Sequence, residues 1–269
     1  MHSTSKSYQH EAASEELLQL RKRCALLLED QLAGQQLQQQ IRPVSPWHAQ
    51  GVQVAHCVIP ALYLSGDSLD YFILPDGRIL LYLADVSGHG TASALISLLL
   101  KTTVREFFFG EHAARSSSAV TPSELLTYLN QRLLSYGSDR HVTLICVILD
   151  TKQNQLLWSV AGHLPAPILY QDGHAAFLRG KGQPVGLFEH ATYTDEQMPL
   201  PERFSLSLFS DGILEALPEK HLLTREAALP RLITKAEGEY RKIVDCLGLA
   251  NCSNMPDDIA MLVLSRNLA

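Results

Sequence analysis

The chain is short of several things, and each shortage closes a class of function. In 269 residues there are only five cysteines, Cys24, Cys57, Cys146, Cys246 and Cys252, odd in number, scattered and without a C-x-x-C pair. That pattern supports neither a disulfide framework nor a cysteine zinc site; it reads as reduced thiols in a cytoplasmic protein. Basic residues are in the minority: 22 Lys and Arg against 28 Asp and Glu give a formal net charge of -6 and a pI near 6.0. Nucleic acid is therefore not an expected partner, since its binders show a basic patch or stripe. No apolar run approaches the roughly 20 residues that span a bilayer. The opening, MHSTSKSYQHEAASEE, lacks the apolar core of a signal peptide, and no membrane is expected. The G-x-x-x-x-G-K-[ST] loop of nucleotide enzymes is missing, and Gly180-Lys181-Gly182 is too short to be one. What is present is ordinary globular composition, 46% hydrophobic and 19% charged with 16 Gly and 13 Pro. It suffices for one large domain or two small ones.

Residues 1–10 read as a frayed end. Residues 11–41 are rich in Leu, Gln and Glu, with no Pro and one Gly, Gly34. Leu17, Leu20, Cys24, Leu27 and Leu28 recur at helical spacing, and Pro43 stops the pattern. Over 1–43 this predicts an amphipathic helix, a linker or dimerisation element, ahead of a domain over 44–269. The helix either packs on its own domain, or pairs with a second copy or joins an upstream domain. Its apolar register decays at Gln31, Gly34 and Gln38, which argues against a long regular coiled coil.

From Gly51 onward the signals are short strands: Val52, Val54 and Val58, then a hairpin of 71–74 and 79–83 around Pro75-Asp76-Gly77. Helices are expected over 91–109 and 122–136, with a Ser- and Ala-rich loop over 113–121 between them. Strands follow at 142–149, 156–160, 167–170, 175–178 and 204–209, helical segments between 224 and 247, and a last strand at 259–264. Strands come in hairpins with helices inserted as a pair. That is not the alternation of a parallel doubly wound sheet; it predicts antiparallel sheets with helices on their outer faces.

The acids carry the chemistry. Asp67 lies nine residues before the turn residue Asp76, and Asp85 nine after it (76 − 67 = 85 − 76 = 9), so an antiparallel hairpin brings them together at one rim. Asp211 ends the strand Ser205-Leu206-Ser207-Leu208-Phe209, and Asp257 precedes the strand beginning at Ile259. Two acids follow strands and two precede them, so all four can converge on one edge. Two carboxylates about 4 Å apart repel by roughly 4 kcal/mol at an effective dielectric of 20. Such a group calls for cations, and oxygen-only ligands favour Mg²⁺ or Mn²⁺ over zinc. Taken singly, each acid reads as a turn former, as Asp76-Gly77 and Asp172-Gly173 do.

In order, Ser65-Gly66-Asp67-Ser68-Leu69-Asp70, Ala84-Asp85-Val86-Ser87-Gly88-His89-Gly90, Ala161-Gly162-His163-Leu164-Pro165, Gly182-Gln183-Pro184-Val185-Gly186, Ser210-Asp211-Gly212 and Pro256-Asp257-Asp258-Ile259-Ala260 resemble the motifs of the metal-dependent serine/threonine protein phosphatases of the PP2C type. The resemblance is to their bacterial sporulation and stress-response branch and covers residues 35–264. It implies an α+β, four-layer α-β-β-α sandwich of two antiparallel β-sheets flanked by helices. It implies two Mn²⁺ or Mg²⁺ ions, with Asp85 bridging them, the Val86 carbonyl on one, Asp211 and Asp257 on the other, and Asp67 acting directly or through water. Asp85 and Asp211 would serve catalysis. His89 is either the acid that protonates the leaving serine or a structural residue, and His163 reads as a turn or packing residue. The implied function is hydrolysis of phosphoserine or phosphothreonine on a regulatory protein, an anti-sigma-factor antagonist, in a sigma-factor or two-component pathway. The alternative is a pseudophosphatase, an adaptor output domain of a response regulator. An upstream receiver or sensor domain and a homodimer through the N-terminal helix are the associated expectations. Ser65 stands for a commoner Gly, Ala260 for a usual Thr or Ser, and no phosphate-binding Arg is evident before Asp67, His56 being the nearest polar group.

Overall fold

A computed structural model describes residues 2–110, 119–219, 221–251 and 255–268. Most of the loop expected over 113–121 lies outside them, as does Cys252. The chain divides into two compact units, Met1–Ile41 and Arg42–Ala269.

The first unit is one helix, α1 (His2–Gln40), 39 residues long and so about 58 Å at 1.5 Å per residue. It is helical from His2, where a frayed end was expected over 1–10. At 100° per residue, positions nine apart lie on opposite sides. Leu26 therefore opposes Leu17, and Leu37 opposes Leu28, and all four are exposed. From Leu17 to Leu37 the leucines thus do not share a single apolar stripe, a departure from the amphipathic helix expected there.

The second unit holds two antiparallel sheets. In one, β1 (Trp47–Ala49), β2 (Val52–Ile59), β11 (Ile259–Arg266), β10 (Phe204–Phe209), β7 (Ile168–Gln171) and β8 (His174–Phe177) lie side by side in that order. In the other the order is β3 (Ser68–Ile73), β4 (Ile79–Val86), β5 (Val142–Asp150), β6 (Gln155–Ala161) and β9 (Glu196–Pro199). Helices α2 (Thr91–Phe109) and α3 (Pro122–Ser135) pack on the second sheet. Helices α4 (Gly212–Glu215), α5 (Leu222–Lys235) and α6 (Tyr240–Cys246) pack on the first. The result is the four-layer α-β-β-α sandwich.

Successive residues of a strand point to opposite faces. Ile79, Leu81 and Leu83 of β4 enter the core between the sheets, where they meet Leu206, Leu208, Leu262 and Leu264. Leu80, Tyr82, Ala84 and Val86 point the other way, into α2 and α3. Both faces are covered, so β4 and β5 read as continuous apolar runs. Each fully buried side chain of this size contributes about 1.5–3 kcal/mol; Leu81→Ala would cost about 2–5 kcal/mol. Helix α3 starts where its sequence says it must: Thr121 accepts the Glu124 amide while the Glu124 carboxylate accepts the Thr121 amide, and Pro122 fills the first turn.

Candidate active site

The β3–β4 ladder runs from Ile73↔Ile79 to Ser68↔Ala84. One step further along the same register are Asp67 and Asp85. The symmetric spacing about Asp76 thus gives the true pairing. On the other sheet β10 pairs with β11 up to Phe209↔Met261, and the Ser210 amide donates to the Ala260 carbonyl at 3.0 Å. That brings Asp211 beside Asp257 and Asp258. The ends of the two sheets meet at a cleft of about 540 Å³ whose walls include Asp85, Asp211, Asp257, His89 and Leu62.

The acids feel one another. Burial and then the Asp85 charge push the Asp67 carboxyl well above the usual carboxylate range, with Asp258 and Asp211 adding to the effect. Burial, then Asp211, Asp257 and Asp258, push Asp85 up to about 7. Burial and Asp257 raise Asp211. Such a gathering stores repulsion that only protons or cations relieve. Among the described residues no three His, Cys, Asp or Glu side chains stand close enough to clasp an ion as they are. The donor set nevertheless fits a hard divalent cation. Asp85, Asp211 and Asp257 are open to the cleft, and a Cβ on Gly66 would come within 3.0 Å of the Val86 carbonyl oxygen. The structure thus brings together Asp67, Asp85, Val86, Asp211 and Asp257, with His89 exposed at the lip.

The two acids of the last motif do different work. Both carboxylate oxygens of Asp258 are taken by backbone amides: Oδ1 accepts from Ala61 and Oδ2 from Gly66, each at 2.7 Å. Asp257 is exposed to the cleft and, among the described residues, accepts only the Asp258 amide, at 2.8 Å. The sequence marked the pair; the fold shows what Asp258 does.

The glycines of the second motif are also explained. Gly88 has φ +82°, and a Cβ there would collide with the guanidinium of Arg140, which donates to the Ser87 carbonyl at 2.8 Å. Gly90, at φ +81°, is the N-cap of α2; side chains resist such angles. His163 is buried, and its Nε2–H donates to the Phe209 carbonyl at 2.8 Å, so Nδ1 accepts from the Thr143 hydroxyl at 2.9 Å. Burial holds its pKa down to about 4. It is a neutral tie between the strand beside Asp85 (Asp85↔Thr143) and the strand that delivers Asp211. Sequence reasoning missed Arg42. Burial lowers its pKa, while Asp67 and then Asp258 act on it as opposing charges. The residue lies 25 positions before Asp67 (67 − 42 = 25), so no local signal could have found it.

The sequence profile of the family described as Stage II sporulation protein E (SpoIIE) matches residues 75–267. The phosphoserine phosphatase RsbU of Bacillus subtilis is 26% identical over 218 residues, covering 78% of this chain and 62% of that protein. The chain spans 41%, 37% and 62% of the length of three curated relatives it matches. Among solved structures, that of the RsbU and RsbW domains of Rv1364c from Mycobacterium tuberculosis superposes with a TM-score of 0.67 at 25% identity, over 83% of this chain and 62% of that one. The catalytic domain of the phosphatase PstP, solved in complex with 2 manganese ions, shares the fold at 15% identity and a TM-score of 0.56, over 80% of this chain and 97% of that one.

Proposed function

Because the chain belongs to the stage II sporulation protein E family, we propose that it is a metal-dependent protein phosphatase. It hydrolyses phosphoserine or phosphothreonine on a regulatory protein, of the anti-sigma-factor antagonist type, in a sigma-factor or two-component pathway. The observation that carries this is the convergence of Asp85, Asp211 and Asp257 on one cleft, with Asp67 buried within reach of the Asp85 charge and with acids as the charges that act on Asp85 among the described residues.

Asp85 and the Val86 carbonyl would hold one edge of a pair of Mn²⁺ or Mg²⁺ ions, and Asp211 and Asp257 the other, with Asp67 behind them. Bound there, such ions supply Lewis-acid activation of water and neutralise phosphoryl oxygens. The chain's own side chains do the rest. His89 stands at the lip, where it can give a proton to the leaving serine oxygen. Gly88 and Gly90 keep the backbone slim where the phosphoryl group enters.

The test is incubation with phosphorylated antagonist-type proteins plus Mn²⁺, with chelator and Asp211→Asn as controls. Phosphate release that both controls abolish supports the reading; none with any such substrate overturns it. The alternative is an adaptor that binds without chemistry. An inert protein whose Asp85→Ala variant still binds its partner would select the adaptor.

No helix among the described residues is long and apolar enough to cross a membrane. The cysteines are scattered and without a C-x-x-C pair, which supports the cytoplasm as the proposed compartment. Input from a receiver or sensor domain, and a homodimer through α1, complete the proposal.

A further inference from the structure

We propose that Ser210 and Asp258 are positioning residues: together they fix Asp67 and the loop over residues 61–66 that walls the cleft. The inference rests on the phosphatase reading, in which Asp67 is the first of the acids.

Ser210 is fully buried at the end of β10. Its amide donates to the Ala260 carbonyl at 3.0 Å, and its hydroxyl oxygen accepts the Ala260 amide at 2.7 Å. Two bonds thus bolt it to β11. A serine hydroxyl has one proton, and of its two acceptors Asp67 Oδ2, at 2.7 Å, is much nearer than the Asp258 carbonyl, at 3.4 Å. Ser210 belongs to one sheet and Asp67 leads into the other. The bond therefore ties the sheets together at the cleft and leaves Oδ1 of Asp67 with no hydrogen bond among the described residues. A carboxylate pinned by one oxygen presents the other in a fixed direction, which is how outer groups orient ligands.

Asp258 holds the loop that delivers Asp67. Its two oxygens accept the amides of Ala61 and Gly66, the two ends of the loop, at 2.7 Å each. Hydrogen bonds to a charged acceptor are the strong ones, and a single carboxylate closes the loop. Leu62 and Leu64 stand on the cleft wall between those ends. Asp258→Asn would turn one acceptor into a donor facing a donor. Gly212 completes the unit: a Cβ there would collide with the Asp258 carbonyl oxygen, although its φ is not positive. Ser210-Asp211-Gly212 and Asp257-Asp258, two motifs in the sequence, are one interlocked part in space.

The test uses the whole chain with Mn²⁺ alone, the unbound ion being counted by its paramagnetic resonance signal and folding by circular dichroism. Wild type is expected to take up two ions. Ser210→Ala should weaken one of them by about 10–100-fold while staying folded, and Ser210→Thr should return it to within about threefold. In an Asp67→Asn background, Ser210→Ala should add less than about twofold, which keeps the test decisive if the threonine is too bulky to fold. Separately, Asp258→Asn should speed hydrogen exchange at the Ala61 and Gly66 amides about tenfold or more, with or without Mn²⁺. Unchanged Mn²⁺ affinity in Ser210→Ala, a full additive loss in the Asp67→Asn background, or unchanged exchange in Asp258→Asn overturns the assignment and leaves the phosphatase reading standing. A wild-type chain that takes up no Mn²⁺ overturns both.

Discussion

Asp70 and Asp85 lie on neighbouring strands of one hairpin and live in opposite surroundings. Asp70, in β3, has no exposed surface. Arg105 donates to its Oδ2 through Nε at 3.0 Å and Nη2 at 2.8 Å, Lys101 Nζ stands 3.4 Å away, and the Tyr71 amide donates to Oδ1 at 3.0 Å. Both cations come from α2, the helix that follows the Asp85 loop. Asp85, at the end of β4, has Asp211, Asp257 and Asp258 as the charges that act on it. An acid that the fold uses for itself is furnished with protein cations. An acid kept for a ligand is held rigidly among neighbours that repel it, a cost recovered when a cation arrives. Burial alone therefore does not separate Asp70 from Asp85; the sign of the charges around each does.

The contrast makes opposite predictions for two similar substitutions. Asp85→Asn should reduce phosphate release by about 10²–10³-fold and raise the melting temperature of the metal-free protein at pH 8 by about 5 °C, since it removes repulsion on the order of 2 kcal/mol. Asp70→Asn should do the reverse. Turnover per folded molecule stays within about threefold, while stability falls by about 3 kcal/mol, the low end for a broken buried pair because Arg105 is half-exposed. Thermal melts and steady-state assays of the two variants check this; loss of both properties in both variants would erase the distinction.

A smaller effect is expected from pH. Asp85 at about 7, with Asp67 and Asp211 also raised, binds more protons folded than unfolded. The metal-free chain should therefore gain stability as pH falls from 8 to about 6.5. Below that, His163 and His56 oppose the trend. Burial holds both near 4, with Arg42 adding to the effect at His56. They stay neutral when folded and protonate when unfolded, so their contribution is lost as pH drops from about 6.5 to 4. Melting temperatures in chelator should be lowest at pH 8 and higher at pH 6.5, with the histidines slowing the further gain toward pH 5, and Mn²⁺ should stabilise most at pH 8, where the acids are ionised. A monotonic rise toward pH 8 without metal would mean the acids do not repel as described.

Replacing the neutral tie, His163→Leu, leaves the Phe209 carbonyl and Thr143 hydroxyl without this partner and should cost about 1–3 kcal/mol by denaturant melt. The smallest effect is at α1. Sedimentation at tens of micromolar should show a dimer that removal of residues 1–41 abolishes; a monomer throughout would confine α1 to linking.

Much of this was legible in one dimension. Thr121, Pro122 and Glu124 announce a helix start through local hydrogen bonds, and the nine-residue spacing on each side of Asp76 states the register of Asp67 with Asp85, because a hairpin is a local object. The short strands β1 and β9 and the helix α4 were not foreseen, since three or four residues carry too little periodicity. The extent of α1 was underestimated because polar residues such as those at 2–10 carry no apolar pattern.

The sequence by itself determined the strand-and-helix order, the two-sided burial of β4 and β5, and which acids stand at strand ends, all consequences of nearest neighbours and periodicity. Only the tertiary structure decided that Asp258 clasps a loop while Asp257 faces the cleft, that Ser210 reaches Asp67 across 143 residues, that Arg42 lies behind Asp67, and that His163 is a neutral tie. Those roles depend on which hydrogen-bond partners the packing of two sheets brings within 3 Å, and no local pattern encodes a contact between distant segments.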